Sequence, residues 1–158
     1  VRDADGSGVG ESSTAAESAG AQSRAENERN QRKGQKQEAA SRLLVNRARK
    51  YRDRGQLDDA ADEYRKAVSL NRRLETALEA AQMLVEADLR LEDATVFARA
   101  ALKLDESSAQ GYYLLGRSYE AREMGEQAAE AYRRAVELDE HEEARRRLAG
   151  LESGGETS

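Results

Sequence analysis

The chain has 158 residues, which is enough for one domain or for one domain with a tail. Cysteine is absent, so disulfides, thiolate nucleophiles and zinc–thiolate sites are excluded, and only 38% of the residues are hydrophobic against 36% charged. That supply of apolar residues is thin for a single globular core and suits an elongated helical array, in which each layer buries a narrow stripe. No apolar run approaches the roughly 18–20 residues of a membrane span.

The N-terminal segment, residues 1–37, is rich in Gly, Ser, Ala, Gln, Asn and Glu and has almost no large apolar side chain. Such a composition cannot offset its ordering entropy, so the sequence predicts a disordered tail. The chain begins with Val1 rather than Met, which leads us to expect a processed chain or a piece of a longer protein. The 21 Arg against 5 Lys are typical of a GC-rich bacterial source. The expected compartment is the bacterial cytoplasm, or an extracytoplasmic space if a signal or anchor preceded Val1.

Part of this tail, the segment DADGSGVGESST, has some of the pattern of a calcium loop. Asp3, Asp5 and Ser7 occupy the first, third and fifth positions of the loop, and Gly8 occupies the sixth. Thr14 occupies the twelfth position, where a calcium loop has a bidentate Glu. We therefore interpret residues 3–14 as a solvated acidic linker.

Charge is distributed unevenly along the chain. The formal net charge is −5, to which residues 1–23 contribute −3, residues 24–54 contribute +7 and residues 55–158 contribute −9. The basic stretch, residues 24–54, suggests the hypothesis that the protein binds nucleic acid or an anionic surface. Its only aromatic residue is Tyr51, whereas sequence-tolerant binding of single strands adds stacking aromatics. A solvated basic helix face is therefore the favoured interpretation.

An internal repeat of 34 residues occupies most of the remaining chain. Aligned without a gap, its three units are residues 41–74, 75–108 and 109–142. The matching columns are Ala60, Ala94 and Ala128; Ala67, Ala101 and Ala135; Leu70, Leu104 and Leu138; Asn71, Asp105 and Asp139; the acidic Asp58, Glu92 and Glu126; and the basic Arg65, Arg99 and Arg133. That many coincident columns at one spacing indicate a tandem repeat protein.

Each unit has the pattern of two helices. In the third unit, Tyr112, Leu115 and Tyr119 fall at i, i+3 and i+7, which predicts the first helix. Ser107 and Gln110 predict a capping box at its start.

Glycines predict the break between the two helices of a unit, Gly55 in the first unit and Gly125 in the third. The acidic column then lies in the first turn of each second helix, where a negative charge suits the helix dipole. The small Ala columns allow the helices to approach closely.

These columns resemble those of the tetratricopeptide repeat (TPR) family. The residues that carry the resemblance are Leu44, Ala48, Tyr51, Gly55, Ala60, Tyr64 and Ala67 in unit one; Leu78, Ala81, Val85, Ala94, Ala98 and Ala101 in unit two; and Tyr112, Leu115, Gly116, Tyr119, Ala128, Tyr132 and Ala135 in unit three. The Pro that usually ends a unit is replaced by Arg72, Glu106 and Glu140. The resemblance implies an all-α fold, a right-handed superhelical α-solenoid of antiparallel helix pairs, over residues 38–151.

The segment after the third unit, residues 143–151, predicts a single capping helix. Ala144, Leu148 and Leu151 fall on one face, which would cover the last apolar layer of the solenoid. Residues 152–158 are expected to be a disordered C-terminus.

Residues for catalysis or ligand coordination are sparse. The only histidine, His141, lies in a charged turn beside Glu142 and Glu143, and a metal site needs several convergent ligands, so we interpret it as solvated. The sequence offers no phosphate-binding Gly loop and no basis for a Ser-His-Asp set. It therefore predicts no enzyme activity, no catalytic residue, no cofactor and no metal.

The resemblance implies that a partner lies on the concave side, which the first helices of successive units line. The expected contact residues there are Arg42, Val45, Asn46, Arg49, Arg52, Glu79, Met83, Glu86, Tyr113, Arg117 and Glu120. Chaperone-binding members of the family hold a C-terminal carboxylate with Lys, Asn, Asn, Lys and Arg. The corresponding positions here are Val45, Arg49, Ala80, Gln110 and Leu114. Because these include one basic residue and no Asn, we reject a carboxylate-clamp ligand.

The leading hypothesis is a non-catalytic module that binds a segment of another protein in this groove. The groove is expected to be basic in the first unit, acidic with Met83 in the second, and formed by Tyr113 and Arg117 in the third. Two alternatives are a structural repeat protein that self-assembles into homo-oligomers, and binding of nucleic acid or an anionic surface through residues 24–54. The identity of the partner is left open.

Overall fold

A computed structural model describes residues 11–154 of the chain, and the calcium-like segment 3–14 lies largely outside the described residues. Within them the regular structure is entirely α-helical. The helices are α1 (Glu11–Asp53), α2 (Leu57–Leu70), α3 (Leu74–Glu86), α4 (Leu91–Leu104), α5 (Ala109–Ala121), α6 (Gly125–Asp139) and α7 (Glu142–Gly154). The prediction of an all-α fold is confirmed.

The contacts divide the chain into two units, residues 1–39 and residues 40–158. In the first unit the expectation of a disordered tail is wrong for residues 11–37, because they belong to α1. All side chains of residues 21–37 are exposed, so this stretch buries no apolar face. Its helix rests on local propensity: the chain has no Pro, and Ala, Gln, Glu, Arg and Lys favour helix even where nothing packs on them.

The second unit is a right-handed superhelical α-solenoid of antiparallel helix pairs. The pairs are α1 with α2, α3 with α4, and α5 with α6, and each pair corresponds to one 34-residue unit of the sequence. The alanine columns explain the close packing, since Ala60, Ala94 and Ala128 are fully buried. Tyr64 and Tyr132 are also fully buried and fill the layers between neighbouring helices.

The turns inside the pairs require residues with positive φ. Gly55, at φ +76°, takes this position between α1 and α2, as the sequence predicts. The prediction for Gly125 is wrong, because Gly125 is the first residue of α6 and the left-handed residue is Glu123, at φ 59°. Between α3 and α4 the left-handed residues are Asp88 and Arg90. The first and third turns therefore share one backbone conformation without sharing a glycine, whereas the middle turn differs, because Leu89 stands at the equivalent position and its neighbours are the left-handed residues.

The start of α5 also differs from the sequence prediction. Its N-cap is Ser108, whose side chain accepts a 3.0 Å hydrogen bond from the amide of Gly111. Ser107 donates its backbone N–H and its hydroxyl to Asp105 instead, at 2.9 and 2.6 Å. A capping box between Ser107 and Gln110 is therefore not formed.

The last helix, α7, packs on α6. Ala144 is fully buried against the cluster that contains Tyr119 and Tyr132, and Leu148 and Leu151 are partly buried against the same cluster. The helix therefore covers the apolar surface that the third pair would otherwise leave in solvent.

Candidate functional site

The first helices of the three pairs, α1, α3 and α5, line one surface of the second unit, here called the inner groove. It contains two depressions, which share Glu75. The larger has a volume of about 730 Å³ and includes Arg52, Glu79, Met83, Glu86 and Gln110 among its lining residues. The smaller has a volume of about 510 Å³ and includes Arg42, Val45, Asn46, Arg49 and Thr76.

Eight of the eleven expected contact residues line these two depressions: Arg42, Val45, Asn46, Arg49, Arg52, Glu79, Met83 and Glu86. They do not all present their side chains equally. Val45 is only 9% exposed and Met83 only 6%, because both belong to the hydrophobic core below the groove. These two residues form the apolar floor, and the polar residues around them form the accessible rim.

Glu79 is the centre of the polar network in the groove. Arg49 binds its carboxylate with two parallel hydrogen bonds of 2.9 and 2.8 Å. Arg52 donates to the same carboxylate at 2.8 Å, and so does the hydroxyl of Tyr64. Two cations and a buried phenol therefore converge on one carboxylate, which is the arrangement in which charge-assisted hydrogen bonds are strong.

The network shifts the pKa values of its members. Burial by itself would favour the neutral acid, but the hydrogen bonds from Arg49 and Tyr64 hold the pKa of Glu79 below its ordinary value. Burial, reinforced by the bond to the Glu79 carboxylate, raises the pKa of Tyr64 well above its usual range. Glu79 is thus ionised and Tyr64 protonated at neutral pH.

This pairing changes the charge that the sequence predicts for the groove. Arg49 and Arg52 of the first repeat both pair with Glu79 of the second repeat, so this carboxylate offsets part of the positive charge that the sequence predicts there. Glu86 differs from Glu79: among the described residues its carboxylate has a hydrogen bond from Gln82, at 2.8 Å, and no ion pair.

The other three expected contact residues, Tyr113, Arg117 and Glu120, lie on α5 and connect it to the C-terminal helices. The Arg117 guanidinium lies 5.8 Å from the centre of the Tyr113 ring and donates to its hydroxyl at 3.0 Å. Glu120 accepts hydrogen bonds from the hydroxyl of Tyr132 and, at 2.9 Å, from Arg147. These residues do not line either depression.

His141 takes part in this cluster, so the interpretation of a merely solvated histidine is wrong. Its ring stacks on Tyr113 with centroids 4.4 Å apart, and its Nε2 lies 3.2 Å from the amide oxygen of Gln110. Its Nδ1 accepts a 3.3 Å hydrogen bond from the amide of Ala144, in the first turn of α7. The capping contact could have been suspected from the sequence, because His141 lies just before the predicted C-terminal helix. Histidine is, however, not a common N-cap residue.

The networks at the two ends of the solenoid have the same geometry with the charges exchanged. The buried tyrosines Tyr64 and Tyr132 are 68 residues apart, which is two repeats. Tyr64 meets a carboxylate from the following first helix, Glu79, whereas Tyr132 meets Glu120 from the preceding one. The cation is Arg52 in the first case and Arg147 in the second.

The middle junction, between the second and third units, lacks such a network. Ala98 stands where the other junctions have a buried tyrosine, and Glu86 stands where they have Arg52 or Glu120. The larger depression of the inner groove runs along α3 and reaches this junction, since its lining extends from Arg52 on α1, past Glu86 on α3, to Gln110 on α5.

Two functional classes can be checked against the described part of the chain. Within residues 11–154, no helix combines the length and the apolar character needed to cross a membrane. In the same range, no three His, Cys, Asp or Glu side chains are grouped as they would be around a metal ion.

Comparison with known proteins agrees with this architecture. Residues 15–150 match the family model for the soluble NSF attachment protein, SNAP. The chain is a tetratricopeptide-type helical-repeat protein and belongs to the SNAP family. The match covers residues 15–39 of the first unit and residues 40–150 of the second.

Solved structures of TPR domains share this fold. The first TPR domain of Spaghetti (RPAP3), bound to the HSP90 peptide SRMEEVD, superimposes with a TM-score of 0.64 at 22% identity, covering 73% of this chain and 93% of that one. MamA from Desulfovibrio magneticus RS-1, from its residue 41 to the end, superimposes with a TM-score of 0.64 at 21% identity, covering 73% of this chain and 66% of that one. At such identities the likeness is one of fold alone.

A curated relative shares part of the sequence. The cytochrome c-type biogenesis protein CycH of Pseudomonas aeruginosa is 39% identical over 61 residues, which are 39% of this TPR chain and 15% of that protein. The match thus spans a small part of the relative.

Proposed function

We propose that this protein is a non-catalytic interaction module whose inner groove binds a segment of a partner protein that carries basic and apolar side chains. The fold supports the general class, since TPR proteins act as protein-interaction scaffolds. The observation that favours the groove is its larger depression, of about 730 Å³, which combines an apolar floor with Glu86, a carboxylate that has no ion pair among the described residues.

The chemistry of the partner follows from the two end junctions. At each of them a carboxylate of the groove is matched by an arginine of the chain, Glu79 by Arg52 and Glu120 by Arg147. At the middle junction Glu86 has no such arginine among the described residues. An arginine or lysine of a partner segment would complete the third pair, with its aliphatic stem against Met83 and Leu78.

A C-terminal carboxylate is not the expected ligand. Three of the positions that hold it in chaperone-binding relatives are here the buried Val45, Ala80 and Leu114. A fourth, Arg49, is already bound to Glu79. At these five positions such a carboxylate would therefore find no Asn, and its one cation, Arg49, is already paired with Glu79.

Ion pairing also weakens the part of the basic stretch that adjoins the groove, residues 47–52, as a nucleic-acid site. Arg47 pairs with Glu63 at 3.3 Å, and Arg49 and Arg52 pair with Glu79. A cation that is already matched by a carboxylate releases little counterion energy on binding phosphate.

Selection of peptides from a random display library on the immobilised full-length chain tests the proposal. We expect the selected peptides to combine Arg or Lys with apolar residues and to bind Glu86→Arg about tenfold or more weakly, since a like charge opposes the partner cation. Glu106→Arg, at an exposed position outside the groove, is the matched control and should keep its affinity. Peptides without basic residues, or equal binding to both variants, would contradict the proposal, and binding of a second copy in their place would favour self-assembly.

A further inference from the structure

The outer face of α4 differs from the equivalent faces of α2 and α6. On those two helices an acidic residue pairs with the arginine three residues later, and these pairs are Asp62 with Arg65 at 3.9 Å and Glu130 with Arg133 at 3.1 Å. The equivalent residues of α4 are Val96 and Arg99. The basic column of the repeat is kept in the middle unit, but its acidic partner is replaced by valine.

A second ion pair is also missing from this face of α4. In α2 Lys66 pairs with Glu63, and in α6 Arg134 pairs with Glu137. At the positions of Lys66 and Arg134 the middle unit has Ala100, and at the position of Glu137 it has Lys103. The outer face of α4 therefore presents apolar and basic side chains and no carboxylate at these positions.

These side chains line a groove of about 390 Å³ between α2 and α4, here called the outer groove. Its lining residues are Val68, Arg72, Val96, Arg99, Ala100, Lys103 and Leu104. Val96 is 62% exposed and Leu104 is 42% exposed, which makes them two of the three large hydrophobic side chains exposed in the described residues. Apolar surface of this kind, rimmed by polar groups, is typical of interaction sites.

The three cations of the outer groove have no carboxylate partner within residues 11–154. Arg99 donates to the hydroxyl of Tyr119 at 2.5 Å, and its guanidinium lies 5.9 Å from the centre of that ring. Both contacts are with a neutral group, so they position Arg99 without neutralising it. Most other arginines of the second unit have at least one ion pair, as Arg65, Arg90 and Arg133 do.

We propose that the outer groove is a second binding site, which takes an acidic amphipathic segment of another protein. Apolar side chains of that segment would pack on Val96 and Leu104, and its carboxylates would pair with Arg72, Arg99 and Lys103. The segment would supply the ion pairs that the neighbouring repeats make within the chain.

Charge elsewhere favours a protein segment over an extended polyanion. Residues 55–158 carry a net charge of −9, so a membrane rich in anionic lipid or a nucleic acid would meet repulsion beyond the groove. A short acidic segment contacts only the local cations, because screening limits the effect of charges further away than about 8 Å at physiological ionic strength. The groove also has no aromatic side chain on which a base could stack.

The matched substitution for the test is Val96→Glu, which restores the acidic residue of the neighbouring repeats. It offers Arg99 an internal partner three residues away and removes the exposed apolar contact without opening a cavity in the core. Leu43→Glu is the control, since Leu43 is 68% exposed on α1 and does not line the outer groove. Thermal melts of both full-length variants are expected to match that of the parent chain.

The experiment is a display selection on the full-length chain with counter-selection on Val96→Glu. Acidic peptides with apolar side chains should be recovered, and they should bind Val96→Glu about tenfold or more weakly but Leu43→Glu and Glu86→Arg with unchanged affinity. Recovered peptides without acidic residues, or acidic peptides that bind Val96→Glu equally, would overturn the proposal. So would binding of phosphatidylserine vesicles, or a dimer of the chain abolished by Val96→Glu, in place of peptide binding. Glu86→Arg changes only the inner groove and Val96→Glu changes only the outer groove. The two binding proposals can therefore be contradicted independently of each other.

Discussion

The hydroxyl of Tyr64 on α2 donates a 2.8 Å hydrogen bond to the carboxylate of Glu79 on α3. This bond joins the first repeat to the second. The guanidinium groups of Arg49 and Arg52 donate hydrogen bonds to the same carboxylate. One carboxylate thus connects three helices, α1, α2 and α3. Removing this carboxylate should therefore lower the stability of the junction between the first two repeats and should also change the charge of the groove.

Replacing Glu79 by Gln should lower the free energy of unfolding at neutral pH by about 1–2 kcal/mol, because Arg49 and Arg52 lose a charged acceptor. The folded-state pKa of Glu79 is below the ordinary value of 4.5, so its stabilisation is present above pH 4.5 and is lost as the pH falls through the folded-state pKa. The difference between parent and variant in urea unfolding should therefore shrink at acidic pH. Glu106→Gln, at an exposed position, is the control, and a difference that grows on acidification would contradict this account.

Replacing Gly116 by Ala should destabilise the protein, even though alanine favours helix. A Cβ at this position would lie 2.5 Å from Cε1 of Tyr132, whose ring is fully buried, so the ring or the helix backbone must shift to accept it. We expect a net loss of about 1–3 kcal/mol. In contrast, Gly150→Ala in α7 meets nothing within 4 Å and should gain up to about 1 kcal/mol. Thermal unfolding of the two variants measures both effects, and equal melting temperatures would show that the Tyr132 ring can yield.

Replacing His141 by Ala should loosen the start of α7. The variant loses the acceptor for the Ala144 amide and the ring that stacks on Tyr113, each of which contributes about 1 kcal/mol. Amide hydrogen exchange should rise at residues 144–148 and stay unchanged in α3. His141→Asn, which keeps a capping side chain without the ring, should restore protection at Ala144 only. Unchanged exchange in the Ala variant would show that helix packing alone holds α7.

Replacing Gly34 by Pro should reduce the helical signal without affecting the melting of the solenoid. Residues 21–37 are helical but bury no side chain, so only local propensity opposes the proline. Circular dichroism should show a loss of helix at 25 °C with the same transition midpoint as the parent. Gly34→Ala, where nothing lies within 4 Å, should increase the signal instead. If the proline shifts the midpoint of the thermal transition, residues 21–37 must contribute to the stability of the solenoid, which would contradict this prediction.

Much of the fold could be predicted from the sequence because the same pattern of small and apolar residues occurs in three successive repeats. The buried columns of Ala60 and Ala67, and the turn at Gly55, follow from periodicity and from the φ angle that glycine allows. Glu123 in the equivalent turn could not be predicted, because the packed helices on either side determine the backbone there and impose a left-handed conformation on a residue that does not favour it. The prediction for residues 11–37 is wrong because low hydrophobicity does not exclude a helix that propensity alone favours.

The candidate site depended more strongly on tertiary structure. Alignment with the repeat family predicts Val45 and Met83 as contact residues. In the structure both side chains are buried by packing and form the floor of the groove. Likewise, no sequence pattern indicates that His141 stacks on Tyr113, since the two residues meet only when α7 folds back beside α5.

The sequence by itself therefore determined the repeat length, the two helices of each repeat and the residues of the core, because hydrophobic periodicity and helix propensity act locally and recur in each repeat. The tertiary structure alone decided which charges remain available to a partner. Arg49 and Glu79 are 30 residues apart, and their long side chains meet only because the superhelix brings α1 and α3 side by side. The same packing leaves Glu86 and Arg99 without an ion pair within the described residues, and these two positions are where we expect partners to bind.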